Sequence, residues 1–383
     1  MKWTKRWDCQ WAMDSMNSRS NRYAFETATP EDSADILDIL EDIDLEGKIS
    51  LIFTRRPDPY SSFKREGREV DIIVSRDTRL GRLTSVAAAS INTMFLNGEP
   101  RDIGYLFALR VRKEYRRRYR ILPEGFDYLF RLHKDKDIPF YLTTILEQNT
   151  IAQRLLEKQR ESMPVYEYLG DYETYALATG KREKKIPGFH FKKAGGSDLH
   201  ALVEFLSDQG RAFQFFPVLE EADLADTSSH VRFNDFYLLY NNNEIVAAGA
   251  VWDQRDYKQY ILSKYGGILR ILYPFSFVFP LFGYPTLARP GSILDFCTLS
   301  FWAIRSNRAE YLECFLRHIS DITRQYSYFV IGVAACHPLR ELLHKRPHLI
   351  YKSRMYLVYQ RNNELEIQKV DRARIPYLEI GRL

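Results

Sequence analysis

The chain has 383 residues, of which 45% are hydrophobic and 27% are charged. These proportions are typical of globular proteins, exclude wholesale disorder and leave room for two domains with separate cores. The net charge of +5 is mild for this length, which argues against a dedicated DNA-binding protein.

The sequence also indicates in which cellular compartment the protein resides. Residues 1–22 contain no apolar core long enough for a signal peptide, and no window approaches the roughly 18 apolar residues of a membrane span. The cysteines lack paired spacing of the C-x-x-C kind, so we expect free thiols and no metal; they are Cys9, Cys297, Cys314 and Cys336. The sequence therefore predicts a cytoplasmic protein with an N-terminal extension over residues 1–22.

A first structural unit is predicted over residues 23–177. The strand-like segment YAFET is followed by Thr29-Pro30-Glu31-Asp32 and then by apolar residues at helical spacing. Thr29 can cap this helix, Pro30 suits its first turn, and the acids favour the positive end of the helix dipole. Alternating patterns then predict strands at 71–75, 83–95 and 101–111, with Asn97-Gly98 as a hairpin turn. A helix, a strand at 138–146, another helix and a final strand follow, which completes the order β-α-β-β-β-α-β-α-β.

The same order of elements recurs over residues 188–383. A strand precedes Ser197, which we expect to cap a helix, and further strands are predicted at 235–240, 245–252, 292–304 and 328–335. The polar and basic segment 178–187 between the copies is typical of a linker. Comparison of matching landmarks shows that the second copy carries about 22 extra residues, which we assign to an apolar insert at 264–290. The sequence therefore predicts a tandem duplication.

The most unusual local feature is the run RVRKEYRRRYR at 110–120, which contains seven cations and one acid. Three interpretations are open: a seat for a phosphate-bearing small molecule, a solvated or ion-paired surface, and a nucleic-acid patch. A loop that enters a helix offers backbone N–H groups and a positive dipole end to a phosphate. Nucleic-acid readers interleave more aromatic side chains over a broader basic face than the two tyrosines present here.

Three segments carry a resemblance to a known family: ATPEDSADIL, LRVRKEYRRRYRIL and EQNTIAQRLLEKQ. Together with the element order they resemble the GCN5-related N-acetyltransferase (GNAT) superfamily, most strongly in the first copy. The resemblance implies an α+β protein of two tandem GNAT-like domains, each a mixed, mostly antiparallel sheet flanked by helices. Two loop glycines that are usual in the family are Tyr119 and Ile121 here, and Leu156 replaces a frequent tyrosine acid.

The resemblance also implies a cofactor site and catalytic residues. Acyl-CoA, either acetyl-CoA or a longer form, is the expected co-substrate, and the first copy is expected to bind it. The implied contacts are the backbone groups of Leu109 and Val111, the phosphate-binding side chains of Arg112, Arg116, Arg117 and Arg118, and Asn149, which can also be a plain helix cap. Asp102 and Tyr105, at the start of the fourth strand, are the implied catalytic residues.

The predicted function is acyl-CoA-dependent N-acyl transfer to a primary amine of a small molecule or peptide, by direct attack in a ternary complex. Two alternatives stay open: a catalytically degenerate binding module and an aminoacyl-tRNA-dependent transferase. The apolar insert can cover the core, line an acyl pocket or touch a membrane or partner. If the insert lines an acyl pocket, we expect a donor whose acyl chain is longer than acetyl, with its tail near Phe275, Phe277, Phe279 and Phe282. Nucleic acid is not expected as a partner.

Overall fold

The computed structural model describes residues 22–42, 44–45, 49–116, 118, 120–158, 160–180, 186–225 and 231–383. The predicted N-terminal extension, Cys9, Arg117 and most of the predicted linker lie outside these residues. The strands of the first copy are β1 Tyr23–Thr27, β2 Asp44–Leu45, β3 Ile49–Thr54, β4 Glu69–Asp77, β5 Arg82–Leu96, β6 Glu99–Val111, β7 Tyr141–Leu146 and β8 Val165–Ala178. Its helices are α1 Ser33–Glu41, α2 Pro59–Lys64, α3 Ile121–Leu132 and α4 Thr150–Leu156.

The second copy repeats this order. Its strands are β9 Phe189–Lys193, β10 Phe236–Asn241, β11 Glu244–Trp252, β12 Gln259–Tyr265, β13 Phe296–Ile304, β14 Tyr328–Ala334 and β15 His348–Tyr359. Its helices are α5 Leu199–Gly210, α6 Glu221–Ala225, α7 Gly267–Leu272, α8 Ala309–Ile322 and α9 Arg340–Lys345, and α10 Glu364–Gln368 follows. No helix in the described part of the chain is both long and apolar enough to cross a bilayer.

Twelve of these strands form one continuous sheet in the order β1-β4-β5-β6-β7-β15-β8-β14-β13-β11-β10-β9. All neighbours are antiparallel except β6–β7 and β13–β14, so the predicted mixed, mostly antiparallel α+β architecture is confirmed. The two predicted sheets are nevertheless joined, because each copy gives its last strand to the other. Strand β15 pairs with β7 of the first copy, and β8 pairs with β14 of the second.

The two copies begin alike because the first helix of each is preceded by a 3-10 turn that an aspartate side chain stabilises. In the first copy the backbone N–H of Thr29 donates to Asp32 at 2.9 Å, and Pro30 opens a short 3-10 turn that leads into α1. In the second copy the N–H of Gly195 donates to Asp198 at 2.8 Å. Thr29 therefore caps the 3-10 turn, and the N-cap of α1 itself is Asp32. In the second copy Gly195 caps the 3-10 turn and Asp198 is the N-cap of α5, so the prediction that Ser197 caps this helix was wrong.

A second, small sheet was not predicted. Strand β3 of the first copy pairs antiparallel with β12 of the second, and β2 adds to the far edge of β3. The residues of β3 and β12 lie in segments that have no counterpart in the other copy, so the repeat pattern gave no signal for them. This sheet lies beside the apolar insert and connects the copies a second time.

The exchanged strands are also joined by a buried ion pair. Glu173 on β8 is 2% exposed and accepts from Arg340 of α9 at 2.7 and 3.0 Å. Lys352 on β15 lies 3.4 Å from the same carboxylate. Burial alone would raise the pKa of Glu173, but hydrogen bonds from Arg340 and Tyr175 and the charge of Lys352 lower it to about 2.

We expect Glu173→Gln to lower the free energy of unfolding by about 2 kcal/mol at pH 7, a figure reduced because the cationic partners are partly exposed. A depressed carboxyl pKa stabilises the fold above the unfolded value and loses that effect as pH falls toward 2. The difference between parent and variant should therefore shrink below about pH 4.5 in denaturant unfolding measured from pH 7 to pH 2.5.

The matched control for this experiment is Glu366→Gln. Glu366 pairs with Lys369 on the surface, where both side chains are about half exposed or more, and its loss should change stability by less than about 0.5 kcal/mol. A difference between parent and Glu173→Gln that stays constant down to pH 2.5 would contradict the assignment of the ion pair as the source of the effect.

Candidate functional site

Strands β6 and β7 part soon after they meet. They pair in parallel only at Gly104–Tyr141 and Tyr105–Leu142. A side chain at residue 104 would lie 2.1 Å from the Tyr141 ring, so glycine allows the two strands to touch there. Beyond this point β6 bulges away from β5, and Ala108 adopts a left-handed φ of 55°. The separation opens a gap in the middle of the sheet.

The gap is a cleft of about 180 Å³. Residues 106–110 of β6 form one wall, Thr143 and Thr144 of β7 form the other, and the first turns of α3 and α4 close the ends. Its inner end is apolar and is lined by Ile73, Ala87, Ala89, Leu129, Leu156 and Tyr166. Thr143 fixes the geometry of the wall, since its hydroxyl donates to the Leu106 carbonyl at 2.8 Å.

The arginine run leads from this cleft into α3, and its members have different surroundings. Arg112 is buried, donates through Nε to the Leu83 carbonyl at 2.9 Å and forms an ion pair with Asp38 of α1. Arg116 and Arg118 are exposed and form no ion pair with a described residue. Arg120 is 2.7 Å from Glu124. The exposed arginines without a described carboxylate partner are therefore Arg116 and Arg118, in the loop between β6 and α3, two elements that line the cleft. Arg112, in contrast, is held by structural contacts.

Asn149 and Arg110 lie where this cleft meets a second cavity. The Asn149 side chain accepts from the backbone N–H of Ala152 at 3.1 Å, so it caps α4, and it also lines both spaces. Arg110 lines both as well, and its buried Nε has no hydrogen-bond partner among the described atoms. Burial lowers the pKa of Arg110. A group that enters from either side would meet this guanidinium.

The second space is a central cavity of about 320 Å³ between the two copies. It shares a wall with the cleft at residues 106–108, Arg110, Thr144 and Asn149. The other walls come from the small sheet, from β8 and β15, and from β13 and β14 of the second copy. Its lining is mostly apolar and aromatic and includes the side chains of Arg55, Arg110 and Lys258, and none of the described lining residues is an aspartate or a glutamate. Such a cavity suits an organic substrate with few polar groups.

A buried charge cluster borders the central cavity and consists of Arg55, Glu66 and Lys258. Arg55 donates to Glu66 and to Ser62, the latter at 2.9 Å, and its guanidinium lies 4.5 Å above the Phe63 ring. Lys258 is 3.3 Å from Glu66 and donates to the Gly381 carbonyl at 3.1 Å. Burial lowers the pKa of Lys258 to about 8, although the charge of Glu66 opposes this. Lys258 can therefore lose its proton near neutral pH.

The two residues implied as catalytic lie in different places. Tyr105 is buried, lines the central cavity and is 3.1 Å from the Thr144 hydroxyl, and burial raises its pKa. Asp102 lies at the outer start of β6, where its carboxylate pairs with Arg68 at 2.6 Å and accepts from Thr93 at 2.7 Å. It lines a separate surface depression with Arg101 and Asp137. The structure does not bring Asp102 and Tyr105 together in the cavity.

The corresponding place in the second copy is occupied. Strand β13 has the same bulge, with Phe301 at φ 49°, but residues 375–383 lie against it. The Phe301 N–H donates to the Glu379 carboxylate at 2.6 Å, and this carboxylate also accepts from Gly381 N–H and Tyr377. The Glu379 carboxylate thus accepts the hydrogen bond of the Phe301 amide, which would otherwise face a ligand. This occupancy marks the first copy as the one with an open cleft.

The phenylalanines of the apolar insert line neither the cleft nor the central cavity. Phe275, Phe277 and Phe282 are 60%, 73% and 69% exposed. Phe279 packs inward against the cluster that contains Tyr265 and Leu287. The insert contributes to the central cavity through other residues, namely Thr286, Leu287 and Ala288.

No family model and no curated protein match the sequence. Solved structures do resemble the fold. A Saccharomyces cerevisiae N-myristoyltransferase with bound myristoyl-CoA aligns over 94% of this chain and 86% of its own at 12% identity and a TM-score of 0.58, and another structure of that enzyme aligns over 88% and 83% at 11% and 0.55. A GCN5-related N-acetyltransferase from Anabaena variabilis aligns over 88% and 72% at 15% and 0.51.

These neighbours agree with the geometry of the strands. In the first copy the sheet opens between β6, which carries a bulge, and β7, which is parallel to it, and the opening is the cleft. The same arrangement occurs between β13 and β14 of the second copy, where residues 375–383 fill the opening. The coverage of the solved structures extends over both copies. The chain therefore has the GNAT fold in two copies, which is the fold of the N-myristoyltransferases it resembles.

Proposed function

We propose that this protein is an acyl-CoA-dependent N-acyltransferase that transfers an acyl group to a primary amine by direct attack in a ternary complex. One observation carries the proposal: the cleft of the first copy and the separate central cavity share the wall formed by residues 106–108, Arg110, Thr144 and Asn149. A donor and an acceptor can thus enter from different sides and meet at residues 106–110. The solved structures with the same fold include one with bound myristoyl-CoA, which supports an acyl-CoA donor.

The donor fits the cleft in one direction. Its phosphates would lie at the outer end, near Arg116 and Arg118 and the N-terminus of α3, together with Arg117, which lies outside the described residues. The pantetheine arm would run along the β6 backbone at Leu109 and Val111 toward Asn149. The acyl chain would then enter the apolar inner end of the cleft, where each buried CH₂ contributes about 0.8 kcal/mol.

The residues of the central cavity supply the proton transfers in this proposal. Neutral Lys258 takes a proton from the acceptor ammonium, and the resulting amine attacks the thioester carbonyl carbon. The C–S bond breaks as the amide forms, and the CoA thiolate takes a proton from the Tyr105 phenol, which its raised pKa keeps neutral. The second proton of the attacking nitrogen passes to the Tyr105 phenolate and restores the phenol. Asp102 takes no part, because it is paired with Arg68 at the surface.

The phosphate site is tested by reversing its charge. Arg116→Glu combined with Arg118→Glu should weaken CoA binding at least tenfold, since charge-assisted phosphate contacts are each worth about 1.5–3 kcal/mol. Titration calorimetry with CoA measures the effect, and the loss should be larger at low salt. The control is Arg131→Glu with Lys134→Glu, the same change of charge at the opposite end of α3, where both side chains are exposed. Equal affinities in both variants would rule out the site.

The role of Lys258 is tested through pH. Because a base must be unprotonated, kcat/KM should rise as pH increases through about 8, and Lys258→Met should lose this rise and about a hundredfold or more in rate. The charge of Glu66 raises the pKa of Lys258, so Glu66→Gln should move the rise to lower pH. Ionisation of the acceptor amine also affects kcat/KM, but it does so equally in the parent and both variants, so a difference between their pH profiles reports on Lys258. An unchanged profile in both variants would exclude Lys258 as the base.

The length of the donor is tested together with the reaction itself. Release of free CoA is measured with acyl-CoAs from two to sixteen carbons and a panel of primary amines, with detection of the acylated amine by mass. We expect amine-dependent turnover that increases from acetyl-CoA to longer donors, because the inner end of the cleft is apolar. Release of CoA without an acylated amine would contradict amine acylation.

Ala87→Leu narrows the inner end of the cleft and should shift the preferred donor to a shorter chain. As a control, the exposed insert residues Phe277 and Phe282 are changed to Ser, which should leave the preference unchanged in the absence of lipid. If the insert variant alters the preference and Ala87→Leu does not, the acyl chain lies near the insert and not in the cleft.

A further inference from the structure

The apolar insert presents an exposed apolar surface that the proposed reaction does not use. Helix α7 and the 3-10 helix Tyr273–Phe282 expose six large side chains by 60% or more: Ile268, Ile271, Phe275, Phe277, Leu281 and Phe282. Leu281 is 81% exposed. Soluble proteins rarely expose contiguous apolar patches of more than a few hundred Å², and larger ones mark interaction sites. We call these six residues the outer face of the insert.

The outer face is held in a fixed orientation by the inner one. Leu269, Tyr273 and Phe279 pack inward on the cluster around Tyr265 and Leu287, with the Tyr265 and Tyr273 rings 5.3 Å apart. The Tyr265 hydroxyl donates to the Ala288 carbonyl at 2.9 Å and so connects β12 to the end of the insert. The insert therefore has an apolar inner face that anchors it and a second apolar face that points to solvent.

The charge of the segment identifies the kind of partner. Residues 257–294 contain no aspartate or glutamate. Lys264, Arg270 and Arg289 are exposed there, and none of them forms an ion pair with a described residue. Apolar side chains interspersed with cations match the boundary between the acyl chains and the phosphates of an anionic bilayer. A symmetric pair of copies would instead oppose these cations to one another, because such an interface uses the same patch on both subunits.

We propose that the outer face of the insert docks this protein on a bilayer that contains anionic lipids. The six apolar side chains enter the headgroup region, and Arg270, Lys264 and Arg289 meet the lipid phosphates. The contact is interfacial, since Pro274 and Pro280 interrupt the segment and no described helix is long enough to span a membrane.

Docking would place the central cavity beside the lipid. The insert that carries the outer face also lines that cavity, through Leu287 and Ala288, and its neighbours Tyr265 and Leu294 do the same. A substrate with an alkyl chain could thus pass between bilayer and cavity along an apolar path. This part of the inference rests on the proposed acyl transfer, whereas membrane binding itself does not.

The test is sedimentation of the whole chain with vesicles of phosphatidylcholine, alone or with about a third of phosphatidylglycerol. We expect the parent to sediment with the anionic vesicles and to be released by high salt. The variant Phe277→Ser, Leu281→Ser, Phe282→Ser should partition at least tenfold less. The control is Leu80→Ser, Ile151→Ser, Leu365→Ser, which removes three equally exposed apolar side chains outside the insert and should behave as the parent does.

Three outcomes would overturn the proposal. The parent could fail to bind anionic vesicles; the insert variant could bind as well as the parent; or the parent could be a dimer in light scattering that the insert variant dissociates, which would make the face a protein interface. Calorimetry with CoA in lipid-free buffer separates this proposal from the function. Intact CoA binding without vesicle binding rejects only the docking surface, while vesicle binding without CoA binding rejects only the proposed donor site.

Discussion

The exchange of the last two strands is the constraint on which the rest of the structure depends. Strands β8 and β15 lie side by side at the centre of the sheet and pair antiparallel over twelve residue pairs. Each completes the other copy, so neither copy can form its full sheet alone. The exchange also places the two bulged strands, β6 and β13, on opposite sides of this centre. The central cavity lies against the same part of the sheet. The ion pair of Glu173 with Arg340 stabilises the same junction.

Duplication gave the molecule two similar openings, and the chain uses them differently. Ala108 and Phe301 occupy the same position of the bulge and share a left-handed φ. At Ala108 the opening is a cleft, and the exposed Arg116 and Arg118 lie in the loop that follows this strand, whereas at Phe301 a buried carboxylate of the same chain accepts the amide hydrogen bond. Glu379 is 5% exposed, and this burial raises the pKa of its carboxyl group. The second copy has become a wall of the central cavity, and we infer that it holds the acceptor while the first copy holds the donor.

The segments added to the repeat bring the chemistry to the cavity. Arg55 follows β3, Glu66 follows α2, and Lys258 precedes β12, all outside the elements that the two copies share. Packing them together in an apolar environment gives Lys258 a lowered pKa and leaves cations on a cavity wall whose described residues include no aspartate or glutamate. The apolar insert follows β12 directly, so Lys258, the proposed base, and the residues proposed for membrane contact belong to one continuous addition to the second copy.

The sequence by itself determined the local elements, because these depend on neighbouring residues. Turn residues such as Asn97-Gly98, the Thr29-Pro30 pair before α1 and alternating apolar residues are short-range signals. They predicted the α+β class and the strands and helices that the two copies share, but not β2, β3, α2 and β12. Only the tertiary structure decided which strands exchange, that Arg112 turns toward Asp38, that Glu379 fills the second opening and that Lys258 lies on the cavity. Each of these joins residues far apart in the chain, some by more than 70 positions, and a pattern of neighbours carries no information about such contacts. The same holds for the insert. Its apolar composition was visible in the sequence, but which of its phenylalanines lie inward and which face solvent was decided by packing on Tyr265 and Leu287.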